Sequence, residues 1–220
     1  MRFKKPIVLV VIHTSLGELR WILPYLIQQQ EHGHLEDKQV VTLFLQKNNY
    51  ELAQKDKAHF DLLQSLGPVL LKKDIFRLLI NNRKRIRFIF KDFWPLHAGS
   101  LVSQMYWLCP NARLVLYPHA NALFSISGQV NTAKENKEKH DFTCLDSLII
   151  NSEYDMDYWS TRIPSDRINV VGSASYSLSW VKRLADAAGE VTFEAGQGQK
   201  LVLLNIRGPH EVYLTEDDYD

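Results

Sequence analysis

Apolar residues gather in six short runs, at positions 7–13, 40–45, 86–92, 112–119, 145–152 and 168–173. Each is rich in Val, Ile, Leu or Phe and shows little alternation of apolar and polar positions. A strand with one wet face alternates; an unbroken apolar run is what a parallel strand covered on both faces requires. Between the runs the period changes. Leu19, Ile22, Leu23, Leu26 and Ile27 recur at helical spacing and predict a helix from about residue 16 to residue 30. Pro24 falls inside it and is expected to kink or shorten it, and Gly33 offers a left-handed end. Further helices are predicted over 51–66, 74–81, 99–108, 153–161 and 177–188, with a short strand at 69–71. Gly67-Pro68 stops one helix, while Asp74 and Ser152 read as N-caps of others. Strand and helix thus alternate with short connections, which predicts an α/β fold: a parallel sheet with helices on both faces, joined by right-handed crossovers.

Two segments break the rhythm. Residues 125–141 are polar, with Lys134, Lys137 and Lys139 set against Glu135 and Glu138, and read as a surface loop or short helix. Residues 190–199, beside Gly189 and containing Gly196 and Gly198, read as a linker. Residues 1–189 then form one domain, and the apolar run at 201–205 either returns to the first sheet or makes 200–220 the start of a second domain that is missing or truncated here.

Composition narrows the function classes. The chain has 220 residues, is 45% apolar and carries a net charge of +1, so nothing global points to nucleic acid. Two cysteines, Cys109 and Cys144, make no disulfide framework; buried free thiols in a reducing compartment are expected. Neither a secretory signal nor a membrane-spanning run is present, which predicts a cytoplasmic protein. The basic run Arg83, Lys84, Arg85 reads as a solvated loop, or as a peripheral contact with anionic lipid.

In parallel sheets ligands bind outside the carboxyl ends of the strands, so the polar residues ending each run are the candidates. His13, Asp92, His119 and Ser152 would share one rim. An imidazole at His119, after Pro118, could take the proton of an attacking hydroxyl. Asp92 could act as a base or bind sugar hydroxyls beside the face of Trp94, or simply pair with Lys91. His97 is a second imidazole nearby. Gly17-Glu18 opens the first helix, where backbone N–H groups favour an anion, although Glu18 also complements the helix dipole by itself. Ser152 is a cap or a substrate contact. His32 and His34 lack carboxylate or thiol companions, so no metal site is read there.

Three segments resemble the N-terminal half of the GT-B-type glycosyltransferase and UDP-N-acetylglucosamine 2-epimerase superfamily. Leu114-Val115-Leu116-Tyr117-Pro118-His119-Ala120 is similar to the histidine-bearing loop of surface-polysaccharide glycosyl- and glycerophosphotransferases. Val170-Val171-Gly172, continuing to Tyr176 and Trp180, resembles the segment closing their first domain, and residues 201–207 resemble the strand opening the second. The resemblance implies a Rossmann-like acceptor domain, with His119 and Asp92 catalytic and His13, Gly17, Glu18, Trp94, His97 and Ser152 binding the acceptor. It also implies a nucleotide-sugar donor as substrate with no bound cofactor, a glycan or lipid-linked acceptor, and a nucleotide-holding second domain that this chain lacks and a separate chain could supply. Without that domain the chain is expected to be inactive. A noncatalytic glycan- or protein-binding module is the alternative. A sugar-nucleotide epimerase is a third reading that departs from the expected pattern: Ala120-Asn121-Ala122 stands where the epimerases carry an acidic residue, and Asn205-Ile206-Arg207 where they carry a histidine.

Overall fold

Six consecutive residues of β1 (Ile7–Ile12) are each 1% exposed or less. Ile7, Leu9 and Val11 face one hydrophobic layer, and Val8, Val10 and Ile12 face the other. That double burial is why the run does not alternate. The computed structural model describes residues 2–13, 16–92, 100–117, 145–161 and 163–188. The remaining strands are β2 (Gln39–Phe44), β3 (Val69–Leu71), β4 (Ile86–Asp92), β5 (Arg113–Tyr117), β6 (Ser147–Ile150) and β7 (Ile168–Val170). All seven lie parallel in one sheet, in the order β3-β2-β1-β4-β5-β6-β7.

Helices cover both faces. On one, α1 (Leu16–Glu31), α2 (Lys47–Lys55), α3 (Lys57–Leu66) and α7 (Leu178–Ala188) pack around Leu23, Leu63 and Trp180. On the other lie α4 (Ile75–Asn82), α5 (Leu101–Leu108) and α6 (Met156–Ser160), contributing Leu78, Met105 and Trp159. This is the Rossmann-like α/β arrangement that the pattern predicts. Crossovers leaving β1 to one side use one face, and those running to the other side use the opposite face, as right-handed connections demand.

The differences from expectation have local causes. Pro24 does not shorten α1, which runs unbroken through it. A proline removes the hydrogen bond to the carbonyl four residues back, here Arg20, and the Ser175 hydroxyl donates to that carbonyl at 3.2 Å. The helix predicted over 51–66 is two helices, divided at Asp56 (φ −86°, ψ 75°), whose carboxylate accepts from His59 Nδ1 at 2.9 Å. Aspartate competes with the helical backbone in this way. Asp74 does not cap α4 with its side chain; its Oδ2 accepts from the Leu71 backbone N–H, closing the preceding tight turn. Ser152 also makes no cap bond. Ser177 does: its hydroxyl accepts from Trp180 N at 3.3 Å. Gly33 takes the left-handed conformation after α1 (φ 78°). Cys109 is buried as expected, Trp159 and Trp180 are buried too, and burial pushes the Cys109 thiol up to about 11. The segments 125–141, 190–199 and 200–220, with Cys144, lie outside the described residues.

Candidate functional site

The sheet order reverses direction between β1 and β4, because β1 is followed by β2 on one side while β4 continues on the other. Crossovers diverge to opposite faces there, leaving a crevice beyond the carboxyl ends of the two strands. His13 follows β1, Asp92 ends β4, and Tyr117, in register with Asp92, ends β5. Glu18 enters the same place from the first turn of α1.

These groups form a buried polar cluster. Lys91 Nζ donates to Asp92 Oδ1 at 2.7 Å and to the Asp92 carbonyl at 3.0 Å, with Lys91 1% exposed and Asp92 fully buried. Charges so far from water persist only when paired. Glu18, also fully buried, accepts the backbone N–H of His13 at 2.8 Å, and Asn49 donates to the His13 carbonyl at 3.2 Å. The backbone of His13 is thus clamped on both sides, fixing where its imidazole stands. Burial lowers the pKa of that imidazole, reinforced by the Lys91 ammonium and opposed by Glu18 and Asp92. Tyr117 lies under the rim with its ring stacked on Trp21, centroids 5.3 Å apart and planes 10° apart. Trp21 in turn donates through Nε1 to Asn151 Oδ1 at 2.7 Å, tying α1 to the end of β6. Burial, with Glu18 and Asp92 nearby, raises the Tyr117 phenol well above its ordinary value.

Two buried polar atoms here have no hydrogen-bond partner among the described residues: His13 Nδ1 and the Tyr117 hydroxyl. Leaving such atoms unpaired costs about 1–3 kcal/mol each, and buried groups of this kind in native proteins are rare enough to mark sites.

The predicted residues therefore divide. His13, Glu18 and Asp92 come together. Gly17 stands beside Glu18 in the first turn of α1, and the Glu18 carboxylate already supplies negative charge at that helix end. Ser152 lies at the end of β6, its hydroxyl directed to Asp155 Oδ2 at 3.3 Å. Asp92 is the ion-pair partner of Lys91. Trp94, His97 and His119 lie outside the described residues; His119 follows Tyr117 by two positions. Sequence reasoning passed over Tyr117, Trp21 and Asn151. Their only signal was an aromatic closing an apolar strand run and another one turn into the helix beyond Glu18. Among the described residues no group of three or more His, Cys, Asp or Glu is placed to hold a metal ion.

A second concavity of about 510 Å³ lies on the sheet face rather than its rim, between Tyr25, Phe90, Arg113, Val115, Ile149 and Asn169. Its polar groups are mostly engaged locally: Asp146 Oδ2 accepts from Leu114 N at 2.7 Å, and Asn169 donates to Ser147 Oγ at 2.7 Å. The rim, with its unpaired buried atoms, is the stronger candidate.

Comparison with known proteins gives no match to this chain, neither a protein-family model, nor a curated protein, nor a solved structure. Fold and site define its class directly. It is a Rossmann-like α/β protein with a buried polar cluster at the topological switch point of its sheet.

Proposed function

We propose that the chain is the acceptor-side domain of a glycosyltransferase-like protein of surface-polysaccharide or glycoconjugate biosynthesis. A nucleotide sugar is the donor, and a glycan or lipid-linked glycan is the acceptor held at the switch-point rim. The supporting observation is the pair of unpartnered buried atoms, His13 Nδ1 and the Tyr117 hydroxyl, beside a paired lysine and two carboxylates. Sugar hydroxyls donate and accept at once, so they suit a lone imidazole nitrogen and a lone phenol. In this reading His119 takes the proton of the acceptor hydroxyl as its oxygen bonds to the anomeric carbon, while the nucleotide diphosphate leaves with the bonding pair. Donor phosphates would be held by a second domain.

Calorimetric titration tests the assignment. A soluble acceptor glycan should bind the chain, and His13→Ala should weaken that binding about ten-fold, the worth of one hydrogen bond to a buried group. Nucleotide sugars should give no tight binding to this domain. Tight nucleotide binding without glycan binding overturns the reading, as does sugar transfer by the 220-residue chain alone.

One observation favours a second reading, a noncatalytic glycan-binding module: the Asp92 carboxylate is fully buried and held by Lys91 rather than poised as a base. If His119→Ala leaves both glycan affinity and its pH dependence unchanged, this second reading stands.

A further inference from the structure

Residues 72–87 carry seven basic side chains, Lys72, Lys73, Arg77, Arg83, Lys84, Arg85 and Arg87, against the single acid Asp74. The segment is therefore +6, and because the whole chain is +1, the remaining residues sum to −5. Positive charge is concentrated in one stretch of an otherwise acidic chain, running from the turn before α4 to the start of β4.

The helix within that stretch also exposes apolar surface. On α4 the inward face holds Ile75, Leu78 and Leu79, while the outward face presents Phe76 and Ile80, 75% and 77% exposed, with Arg77 between them. On α5, Trp107 is 73% exposed and Leu108 52%. The two helix ends are neighbours. Asn111, just past α5, donates to the Lys84 carbonyl at 2.9 Å, and the Arg83 guanidinium is close enough to act on the Cys109 thiol. Phe76, Ile80, Trp107 and Leu108 thus lie on one side of the molecule, with Lys73, Arg77, Arg83 and Lys84 exposed among them. No ion pair engages those four cations among the described residues. Arg85 is different: it is half-buried and its guanidinium donates to the Lys4 carbonyl, which secures the N-terminal segment.

We infer that the α4–α5 face is a docking surface for an anionic lipid bilayer, with Phe76, Ile80, Trp107 and Leu108 entering the headgroup–acyl boundary and the flanking cations meeting lipid phosphates. Single exposed apolar residues need no explanation, but four large ones interleaved with unpaired cations match the pattern of a helix lying in a membrane interface. A second copy of the chain fits poorly, since a two-fold contact would set this positive segment against itself. Nucleic acid would use the cations but gives aliphatic Ile80 and Leu108 nothing to pack on. A bilayer satisfies both features. Among the described residues no helix is long and apolar enough to cross a membrane, so the contact is peripheral. The inference does not depend on the sugar-transfer reading.

Cosedimentation with vesicles tests it, using phosphatidylcholine alone and phosphatidylcholine doped with phosphatidylglycerol. Binding is expected only to the doped vesicles, and weakens as salt rises. Arg83→Gln and Lys84→Gln should each lower the apparent affinity about five-fold. Phe76→Ser with Ile80→Ser, both outside the core, should reduce binding by more than ten-fold while leaving the circular dichroism and the urea midpoint unchanged. Lys182→Gln, exposed on α7 across the sheet, should have no effect. Absence of binding to doped vesicles overturns the inference, as does binding indifferent to these four substitutions. So does self-association, or tighter binding to an oligonucleotide, that the same substitutions abolish.

Discussion

Tyr117 and His13 show most directly how a single side chain can cost stability here. The Tyr117 hydroxyl is buried without a partner, so the folded state has given up its hydration and gained nothing in return. Tyr117→Phe keeps the stack on Trp21 and removes only that oxygen. It should therefore stabilise the ligand-free protein, by about 1 kcal/mol in urea unfolding, while weakening glycan binding. A loss of stability would show that the hydroxyl is satisfied within the protein. His13 carries a pH prediction. Its folded pKa lies below the ordinary value of 6.5, chiefly through burial, with Lys91 adding to that effect. Between the folded and unfolded values the unfolded chain binds the extra proton, so stability falls as pH drops below about 6.5 and continues to fall through the folded pKa. The urea midpoint should decrease from pH 7.5 to pH 5.5, and the decrease should be smaller in His13→Asn. The same local chemistry sets what the sequence could reveal of the site. The strand-end rule points to His13, Asp92, His119 and Ser152 and the first-helix turn to Glu18, but Tyr117 reads as one more apolar strand residue. Only coordinates show that its hydroxyl meets no partner.

At the level of elements, backbone contacts decide what pattern could not. Gly67 ends α3 in a conformation with φ 157°, and a Cβ built there would stand 2.1 Å from the Val40 carbonyl oxygen. The obstacle is backbone in β2, which cannot swing aside as a side chain would. Gly67→Ala should therefore cost more than about 2 kcal/mol in urea unfolding, well above the propensity effect of replacing a glycine. The composition Gly67-Pro68 announced a stop, yet the close approach to β2 is a tertiary fact. Pro24 gives the converse case. Its local penalty was legible, while its remedy, the Ser175 hydroxyl on the Arg20 carbonyl, comes from 155 residues away. Asp56 likewise divided a predicted single helix because His59 and Arg20 gather around its carboxylate. Helix periodicity continues through such a break, and so periodicity alone cannot register it.

Across the whole molecule, position in the sheet sets how much each strand matters. β1 is central, with both faces covered, and Leu9 is fully buried. β7 is an edge strand among the described residues, and Val170 is 40% exposed. Leu9→Ala should cost about 2–5 kcal/mol, whereas Val170→Ala should stay within about 1 kcal/mol, both read from urea midpoints. Equal costs at the two positions would contradict the strand order. The same scale governs charge. A net of +1 hides a positive 72–87 segment set against an acidic remainder, a separation visible in the sequence but meaningful only once α4 and α5 are seen to cover the same face of the sheet.

The sequence by itself determined the class of fold, because unbroken apolar runs are stable only where both faces of a strand are covered, and their alternation with helical periods leaves few topologies. It also determined which polar residues stand at strand ends. The tertiary structure alone decided the strand order and hence the location of the switch point. It also decided the pairing of Asp92 with Lys91, the unpartnered Tyr117 hydroxyl and the placing of exposed Phe76, Ile80 and Trp107 on helices that cover the same face of the sheet. The reason is physical: burial and periodicity are local averages that a linear pattern records, whereas a hydrogen bond or a surface patch depends on which distant residues arrive within a few ångströms of each other.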